Sequence, residues 1–392
     1  MNGRRILYHH RIRAEDGQAV HVREMIGALR AAGHEVLECA LVPKATGDVG
    51  SNGVAKPEVP GFWQKLSLPR LARECAEILY TRKGRSMILA AARTFRPDFI
   101  YERYALHCRS GLLASRQLGV PLLLEVNSPM CDEMERLQLL RFPDLARKAE
   151  KEVLAGAGRV LAVSDVLAER LVGIGAQRSR VRVVRNGAEP GRLDDRARQV
   201  GRELRDRLGI PQRDFILGFV GYMREWHRLD RVVDAMQRIQ SERLHFVIAG
   251  EGPVLSGLVE QAAAAGLAGR VHALGEVPAA EVPSVCSIFD VALVPAINEY
   301  ASPLKVFDSL GAGVATLAVD QPNIRELITD GQTGVLFDPD DENALALRLE
   351  DLVGDPERTT AIGLAGRDSL LDNDWTWKGN AGRVLEAYEE LR

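Results

Sequence analysis

The sequence predicts an α/β protein built from two Rossmann-like, doubly wound domains. Short apolar runs alternate with amphipathic helices along almost the whole chain, which is typical of parallel sheets covered by helices. Ten such runs are too many for one small sheet, and they fall into two series. The length of 392 residues also fits about two domains.

The first series begins close to the amino terminus. Its runs are Ile6–Tyr8, Asp98–Tyr101, Pro121–Val126, Arg159–Val163 and Val181–Val184. A helix is predicted over Ala19–Ala32, because its apolar residues recur at helical spacing. Gly33 is predicted to end that helix in a left-handed conformation.

The second series consists of Ile216–Val220, His245–Ala249, Val271–Leu274, Val291–Pro295 and Val314–Val319. Two turn-forming pairs, Asn-Gly at 186 and Pro-Gly at 190, precede it. A charged segment follows them, so the join between the domains is predicted within Asn186–Pro211. We expect one domain over residues 1–190 and the other over 191–374.

Composition excludes several classes of protein. Hydrophobic residues make up 46% and charged residues 27%, as in an ordinary soluble protein with sizeable cores. The net charge of -3 argues against a dedicated nucleic-acid binder. Five scattered cysteines without a CxxC pair predict reduced thiols in a cytosolic protein. No apolar run approaches the roughly 20 residues of a membrane span, and the early first strand predicts no cleaved signal peptide.

Ligands of doubly wound sheets bind beyond the carboxyl ends of the strands, so the loops there are candidate sites. In the first such loop, Asp16 and Gly17 stand before a helix, where backbone amides can face an anion. A simple helix start explains them equally well. Asn127 follows an apolar strand and would project an amide, although asparagine there is usually turn chemistry. No strand precedes a GxGxxG fingerprint, which argues against a nicotinamide oxidoreductase.

The loop after the first strand of the second series is basic. Gly221 permits close backbone approach to a ligand, and Arg224, His227 and Arg228 supply up to three positive charges. Such a cluster is suited to neutralising a diphosphate leaving group, whereas the alternative is a basic surface turn. Because His227 is charged only when protonated, activity is predicted to depend on pH near 6.5.

The last candidate loop precedes a predicted helix. Ser302 is predicted to be its N-cap and Pro303 to occupy its first turn, leaving free amides that face an anion. Lys305 lies in the first turn, where a cation opposes the helix dipole and so needs a reason. Asp308 falls one turn after Leu304 and Lys305 on the same face. A diphosphate on the amides and Lys305, with ribose hydroxyls on Asp308, would account for these groups.

These segments resemble retaining glycosyltransferase family 4, in a subgroup with EVNSP and SPLK motifs. The C-terminal matches are Val183–Gly187, Gly218–Asp230, Gly250–Pro253, Val271–Val277, Ser302–Ala318 and Glu326–Phe337. The N-terminal matches are Gly17–Val36, Pro97–Tyr104 and Leu122–Pro129. The short motifs are weak alone, but their order and spacing together are specific and span nearly the whole chain.

The resemblance implies the GT-B fold, with two Rossmann-like domains facing a central cleft. Residues 1–190 would be the acceptor-side domain and 191–374 the nucleotide-sugar domain, with a helix over 375–392 packing back on the first. It implies a cytoplasmic, hexosyltransferase-like enzyme of carbohydrate or natural-product biosynthesis, with no metal or other cofactor. Sugar would pass from a nucleotide-diphosphate donor to a hydroxyl acceptor with retention, the leaving phosphate helping to deprotonate the acceptor.

The resemblance and the residues together give a set of predicted roles. The predicted catalytic residues are Arg224, His227, Lys305 and Asn127. The predicted donor-binding residues are Gly17, Gly221, Gly275, Glu299, Ser302, Pro303, Leu304 and Asp308, with Gly275 at the nucleobase. The predicted acceptor-side residues are Asp16, Arg103 and His107.

The sequence departs from the family pattern at donor-side positions. Of the two family acids, the second is Asp308 and the first falls on Tyr300, with Glu299 one place early. The family's arginine and lysine after the phosphate-loop glycine appear as Tyr222 and His227, and a cleft histidine appears as Asn127. The alternatives left open are a pseudo-glycosyltransferase or nucleotide-sugar-binding protein, and a sugar-nucleotide epimerase of the same fold.

One segment, Phe62–Arg85, mixes basic and apolar residues. It fits a weak peripheral contact with the inner face of a membrane. It fits better a solvated helix face beside an acceptor site.

Overall fold

A computed structural model describes residues 3–45 and 70–392, which divide into two compact units. The first comprises Met1–Val163, Leu167–Val184 and Ala381–Arg392, and the second Ser164–Val166 and Arg185–Asn380. The longer segment of the second unit begins at Arg185, a little before the expected residue 191. The reason is local: the backbone amide of Asn186 donates to Ser302 Oγ at 3.1 Å, and that of Ala188 donates to the Trp375 carbonyl at 3.1 Å.

The first unit is built on a six-stranded parallel sheet. Its strands are β1 (Arg5–His10), β2 (Glu35–Ala40), β3 (Phe99–Arg103), β4 (Leu122–Val126), β5 (Arg159–Ala162) and β6 (Val181–Val183). They lie in the order β2-β1-β3-β4-β5-β6. The helices along this part of the chain are α1 (Gly17–Ala31), α2 (Arg70–Phe95), α3 (Ser110–Leu118), α4 (Met130–Arg136), α5 (Pro143–Gly156) and α6 (Asp165–Ile174).

The second unit repeats the plan. Its strands are β7 (Phe215–Val220), β8 (Leu244–Ala249), β9 (Val271–Gly275), β10 (Val291–Val294), β11 (Ala315–Val319) and β12 (Val335–Phe337), in the order β12-β11-β10-β7-β8-β9. The helices are α7 (Asp195–Arg207), α8 (Asp230–Ile239), α9 (Leu255–Ala264), α10 (Val282–Cys286), α11 (Leu304–Ala312), α12 (Pro322–Arg325), α13 (Ala344–Gly354), α14 (Pro356–Asp372) and α15 (Trp377–Glu389).

Two parallel-sheet, Rossmann-like domains are therefore confirmed, and each of the ten predicted apolar runs coincides with a strand. The sequence did not predict β2 and β12. Both are edge strands, which pair on one side only; β2 carries charged residues at Glu35 and Glu38, and β12 is only three residues long. Helix α1 has the predicted end, with Gly33 at a φ of 87°.

The carboxyl-terminal residues 381–392 belong to the first unit. The ring of Tyr388 stacks on that of Phe99 at 4.6 Å between centroids. Arg159 is the first residue of β5, and its Nη2 lies 3.1 Å from Glu390 Oε2. These contacts tie the end of the chain to strands β3 and β5.

Residues 62–69 of the basic segment lie outside the described residues. From Arg70 onward the segment forms part of α2, on which Arg82, Lys83 and Arg85 are exposed. Among the described helices, none is both long enough and apolar enough to cross a membrane.

Candidate functional site

The loops that follow β7 and β8 cross in direct backbone contact. The Gly221 amide donates to the Ala249 carbonyl at 2.9 Å, and the Met223 amide donates to the Glu251 carbonyl at 2.6 Å. A Cβ on Gly250 would lie 2.1 Å from the Gly221 carbonyl oxygen, so this crossing requires glycine. This backbone crossing lies at the carboxyl end of β7, the position where doubly wound sheets bind ligands.

Lys305 reaches the same place from α11. Its Nζ lies 4.0 Å from the centroid of the Phe219 ring, the last aromatic residue of β7, and 3.7 Å from where a Cβ on Gly221 would be. The lysine is half-buried. Burial lowers the pKa of Lys305 to about 7, although the Asp308 carboxylate acts to raise it. Gly221 and Lys305, both predicted for the donor site, are therefore brought together.

The start of α11 differs from the prediction. Pro303, and not Ser302, occupies the N-cap position, and no side chain caps the helix there. Ser302 is buried, and its Oγ accepts a hydrogen bond from the Asn186 amide at 3.1 Å, while Asn186 Nδ2 donates to the Ser302 carbonyl. The Ser302 hydroxyl thus serves the packing of the loop, and the first-turn amides of Leu304 and Lys305 are the groups that face outward from the helix end.

The histidine of the basic loop is uncharged, which corrects the expected dependence on pH near 6.5. His227 is buried, and burial, with Lys305 and Arg224 nearby, lowers its pKa to about 3. The Arg224 amide donates to His227 Nδ1 at 3.1 Å, so the neutral ring carries its proton on Nε2. Its ring meets Phe219 edge-on at 5.3 Å. His227 can therefore offer a neutral hydrogen-bond donor, and not a positive charge, near neutral pH.

The two arginines of this loop are exposed and have different surroundings. The Arg224 guanidinium lies over the Tyr222 ring at 4.6 Å and near the Trp226 ring at 5.6 Å. Arg228 Nη2 lies 2.9 Å from Asp230 Oδ2, so a surface ion pair offsets its charge. Of these two arginines, Arg224 is the one that contacts aromatic side chains, and these rings hold its guanidinium in place.

The remaining donor-side predictions fall around this cluster. Gly275 ends β9 at a φ of 73°, and its carbonyl accepts from the Gly250 amide at 2.7 Å, which joins it to the crossed loops. Asp308 is half-buried one turn beyond Lys305 on α11. Glu299 is exposed, whereas Tyr300, at the family's acid position, is buried at 5% exposure.

In the first unit, Glu125 is the centre of a buried polar cluster at the carboxyl end of β4. Its carboxylate accepts from Tyr101 OH at 2.6 Å, from His21 Nε2 at 2.9 Å and from Asn127 Nδ2 at 2.5 Å, and it also pairs with Arg103. Burial alone would raise the pKa of Glu125, but His21 and Arg103 hold it well below its ordinary value. Asn127 and Arg103 are therefore fixed by one ionised carboxylate.

The other first-unit predictions have structural partners. Asp16 is the N-cap of α1, and its side chain accepts from the Gln18 amide at 3.0 Å, while Gly17 is exposed. His107 is buried at a φ of 60°, with Nε2 3.0 Å from Glu74 Oε1. In this arrangement Arg103 and His107 face carboxylates inside the unit, so a role beside the acceptor remains a prediction.

Comparison with known proteins agrees with both halves of the chain. Residues 16–187 match the family model of the glycosyl transferase 4-like domain, and residues 201–369 match that of glycosyl transferases group 1. The chain is a glycosyltransferase. A D-inositol 3-phosphate glycosyltransferase of Salinispora arenicola is 26% identical over 311 residues, which is 75% of this chain and 68% of that one. A 2-deoxystreptamine glucosyltransferase of Streptomyces kanamyceticus is 26% identical, over 72% and 74% of the two chains.

The fold of the glycosyltransferase matches a solved structure. HepE of Anabaena in complex with UDP aligns with a TM-score of 0.71 at 15% identity, covering 98% of this chain and 100% of that one. The glycosyltransferase has the GT-B fold.

The glycosyltransferase's sequence does not assign roles to two residues of this interior. Glu125 lies inside the apolar run LLLEV, where an acid signals a buried charge that needs partners. Phe219, which both Lys305 and His227 contact, is indistinguishable in the sequence from any other core residue of β7. Its role follows only from the packing of α11 on the sheet.

Proposed function

We propose that this glycosyltransferase moves a sugar from a nucleotide-diphosphate donor to a hydroxyl acceptor, with retention and without a metal. The observation that carries the proposal is Lys305, whose Nζ lies over Phe219 beside the side-chain-free backbone of Gly221. A half-buried cation at the start of a helix is unfavourable on its own. A bound diphosphate would supply the missing negative charge.

The donor diphosphate is proposed to lie between the crossed loops and the first turn of α11. The uncapped amides of Leu304 and Lys305 would donate to phosphate oxygens, and Lys305 would offset charge as it develops on the leaving group. His227 would add its Nε2 proton as a neutral donor. Arg224, held over the rings of Tyr222 and Trp226, would supply the second positive charge.

The ribose and base are proposed to lie further along the same edge of the second unit. Asp308, one turn beyond Lys305, is placed for ribose hydroxyls. The backbone at Gly275, where β9 ends against Gly250, would hold the nucleobase. HepE was solved with UDP, so uridine donors are the first to test.

For the acceptor we propose a ring polyol. The two relatives described above act, by name, on D-inositol 3-phosphate and on 2-deoxystreptamine, both six-membered carbocycles with several hydroxyl groups. In the first unit, Asn127, Asp16 and Gly17 are the predicted residues that are not committed to a buried ion pair. Asn127 would orient the acceptor or the transferred sugar.

The first test is thermal unfolding with UDP, GDP, ADP and TDP and their common sugar conjugates, with and without a chelator. A ligand at about 100 times its Kd stabilises the folded chain by about 2.7 kcal/mol. One responding base selects the donors for turnover with inositol, inositol phosphate and 2-deoxystreptamine. Mass and proton NMR of the product then give the bond formed and its anomeric configuration.

Site variants make the test specific. Lys305→Met should lower turnover more than donor binding, because its charge matters most as the phosphate leaves. The exposed Lys148→Met on α5 is the matched control and should change neither. Nucleotide binding without turnover by any donor and acceptor, or an inverted product, would contradict the proposed reaction.

We further propose that the reaction takes place in the cytoplasm and does not depend on a membrane. The exposed arginines and lysine of α2 would then be a solvated face. Flotation with anionic liposomes tests this, since co-flotation would instead assign α2 a peripheral membrane contact.

A further inference from the structure

We propose that His9, Glu102 and Cys108, in the first unit, form a structural site for a thiophilic divalent cation, of which zinc is the example. Their three ligand atoms all lie within 4.8 Å of one another. All three residues are buried, at 0%, 1% and 2% exposure. Imidazole, carboxylate and thiolate are the ligand types that zinc takes in proteins.

The fold brings these residues together for reasons independent of any ion. His9 on β1 and Glu102 on β3 are direct partners in the parallel register, so their side chains lie side by side on one face of the sheet. Cys108 lies in the turn just before α3, and its Sγ is 3.7 Å from Glu102 Oε1. The site would therefore join two neighbouring strands to the following helix.

One atom of the cluster has no partner. Glu102 Oε1 accepts from His9 Nδ1 at 2.6 Å and from the Gly111 amide at 2.9 Å. Glu102 Oε2, also buried, has no hydrogen-bond partner among residues 3–45 and 70–392. A buried carboxylate oxygen without a partner is costly, and a cation that takes both oxygens of Glu102 would satisfy it.

Charge favours a dication in this place. A divalent cation with one carboxylate, one thiolate and one neutral imidazole is electrically neutral, so burying the whole costs little. Burial and the charge of Glu102 raise the pKa of the Cys108 thiol to about 12, so the thiol ligates only when the cation displaces its proton. Binding would release that proton to solvent.

The required geometry is close to the one present. Zinc–ligand bonds of about 2.0–2.3 Å set neighbouring ligand atoms roughly 3.3–3.8 Å apart. The 3.7 Å between Cys108 Sγ and Glu102 Oε1 already fits, whereas the 2.6 Å between His9 Nδ1 and Glu102 Oε1 would have to widen. His9 Nε2, 3.1 Å from Tyr80 OH, would keep its proton and donate it, which is the usual outer contact of a ligating histidine.

The experiment uses the full chain, purified without chelator. Metal content is measured, and the protein is exchanged with Co²⁺, which reports a thiolate ligand through a charge-transfer absorption in the near ultraviolet. We expect close to one zinc per chain, the cobalt–thiolate absorption, and a higher Tm with zinc than after chelation. Less than a tenth of an ion per chain, with a Tm unmoved by added zinc, would overturn the proposal.

Variants assign the ligands. Cys108→Ser should lose the cobalt–thiolate absorption and at least tenfold in zinc affinity. Cys39→Ser is the matched control. Cys39 is a buried cysteine of β2 that lies in register with His9 of β1 but does not belong to the three-residue group. It should keep both, and loss in Cys39→Ser with retention in Cys108→Ser would refute the assignment. If Cys108→Ser does not fold, the cobalt–thiolate absorption of the unmodified chain is the deciding measurement, and its absence would overturn the proposal.

Discussion

Donor binding should weaken as pH rises through 7, because the cation proposed to meet the diphosphate loses its proton there. Burial lowers the pKa of Lys305 to about 7, whereas the pKa of His227, lowered to about 3, keeps that ring neutral throughout. If only the protonated lysine binds the diphosphate, the apparent Kd should rise about tenfold between pH 6 and pH 8. That factor corresponds to about 1.4 kcal/mol.

The assay is calorimetric titration with the nucleotide sugar that responds in the thermal screen. A nucleotide sugar is preferred to a nucleoside diphosphate, whose terminal phosphate itself titrates near pH 6. Titration in two buffers of different ionisation enthalpy gives the proton uptake, expected to be about half a proton per donor at pH 7.

Two variants decide whether Lys305 is responsible. Lys305→Met should bind weakly at every pH, with no proton uptake. Lys305→Arg should keep its charge and bind without pH dependence over this range. A tenfold change that persists in Lys305→Met would assign the titration elsewhere, and no change in the unmodified chain would refute the role of Lys305.

Three further changes test the packing beneath the sites. Gly250→Ala should lower the free energy of unfolding by about 3 kcal/mol and abolish donor binding, because its Cβ meets the Gly221 carbonyl. Gly257→Ala on α9 is the control: its Cβ has open space, so thermal melts should show no loss of stability or a small gain. Glu125→Gln should cost about 3–5 kcal/mol at pH 7 by leaving buried cations unpaired. Because the folded pKa of Glu125 is depressed, its contribution is present above the ordinary value of 4.5 and is lost as pH falls, so Tm should drop less on acidification in the variant. Ser302→Ala should lower the free energy of unfolding by about 1–3 kcal/mol, measured by chemical unfolding, because the Asn186 amide loses its acceptor. A loss above this range would contradict a purely local hydrogen bond.

The sequence predicted the repeating strand–helix plan well, because buried parallel strands are nearly continuous apolar runs. It failed where that signal weakens. Strands β2 and β12 lie at sheet edges, and the first of them carries charged residues.

The candidate site was predicted in part. The sequence points to Lys305 because a lysine in the first turn of a helix opposes the helix dipole. It points to Gly221 because a glycine directly after a strand permits close approach of a ligand to the backbone. The state of His227 was not, since its charge depends on burial and on neighbouring cations that only the folded chain brings together. Ser302 has the side chain of an N-cap, but a tertiary partner, the Asn186 amide, takes its hydroxyl.

The crossing of the loops after β7 and β8 has a consequence for engineering. At Gly250 the backbone of Gly221 leaves no room for a Cβ, so a mutant library that varies this glycine would consist largely of destabilised chains. Diversity aimed at a new donor belongs on the exposed rings of Tyr222 and Trp226 instead, which are half in solvent. The backbone contact between Gly250 and Gly221 has no catalytic role itself, yet it decides which positions around the donor site can be varied.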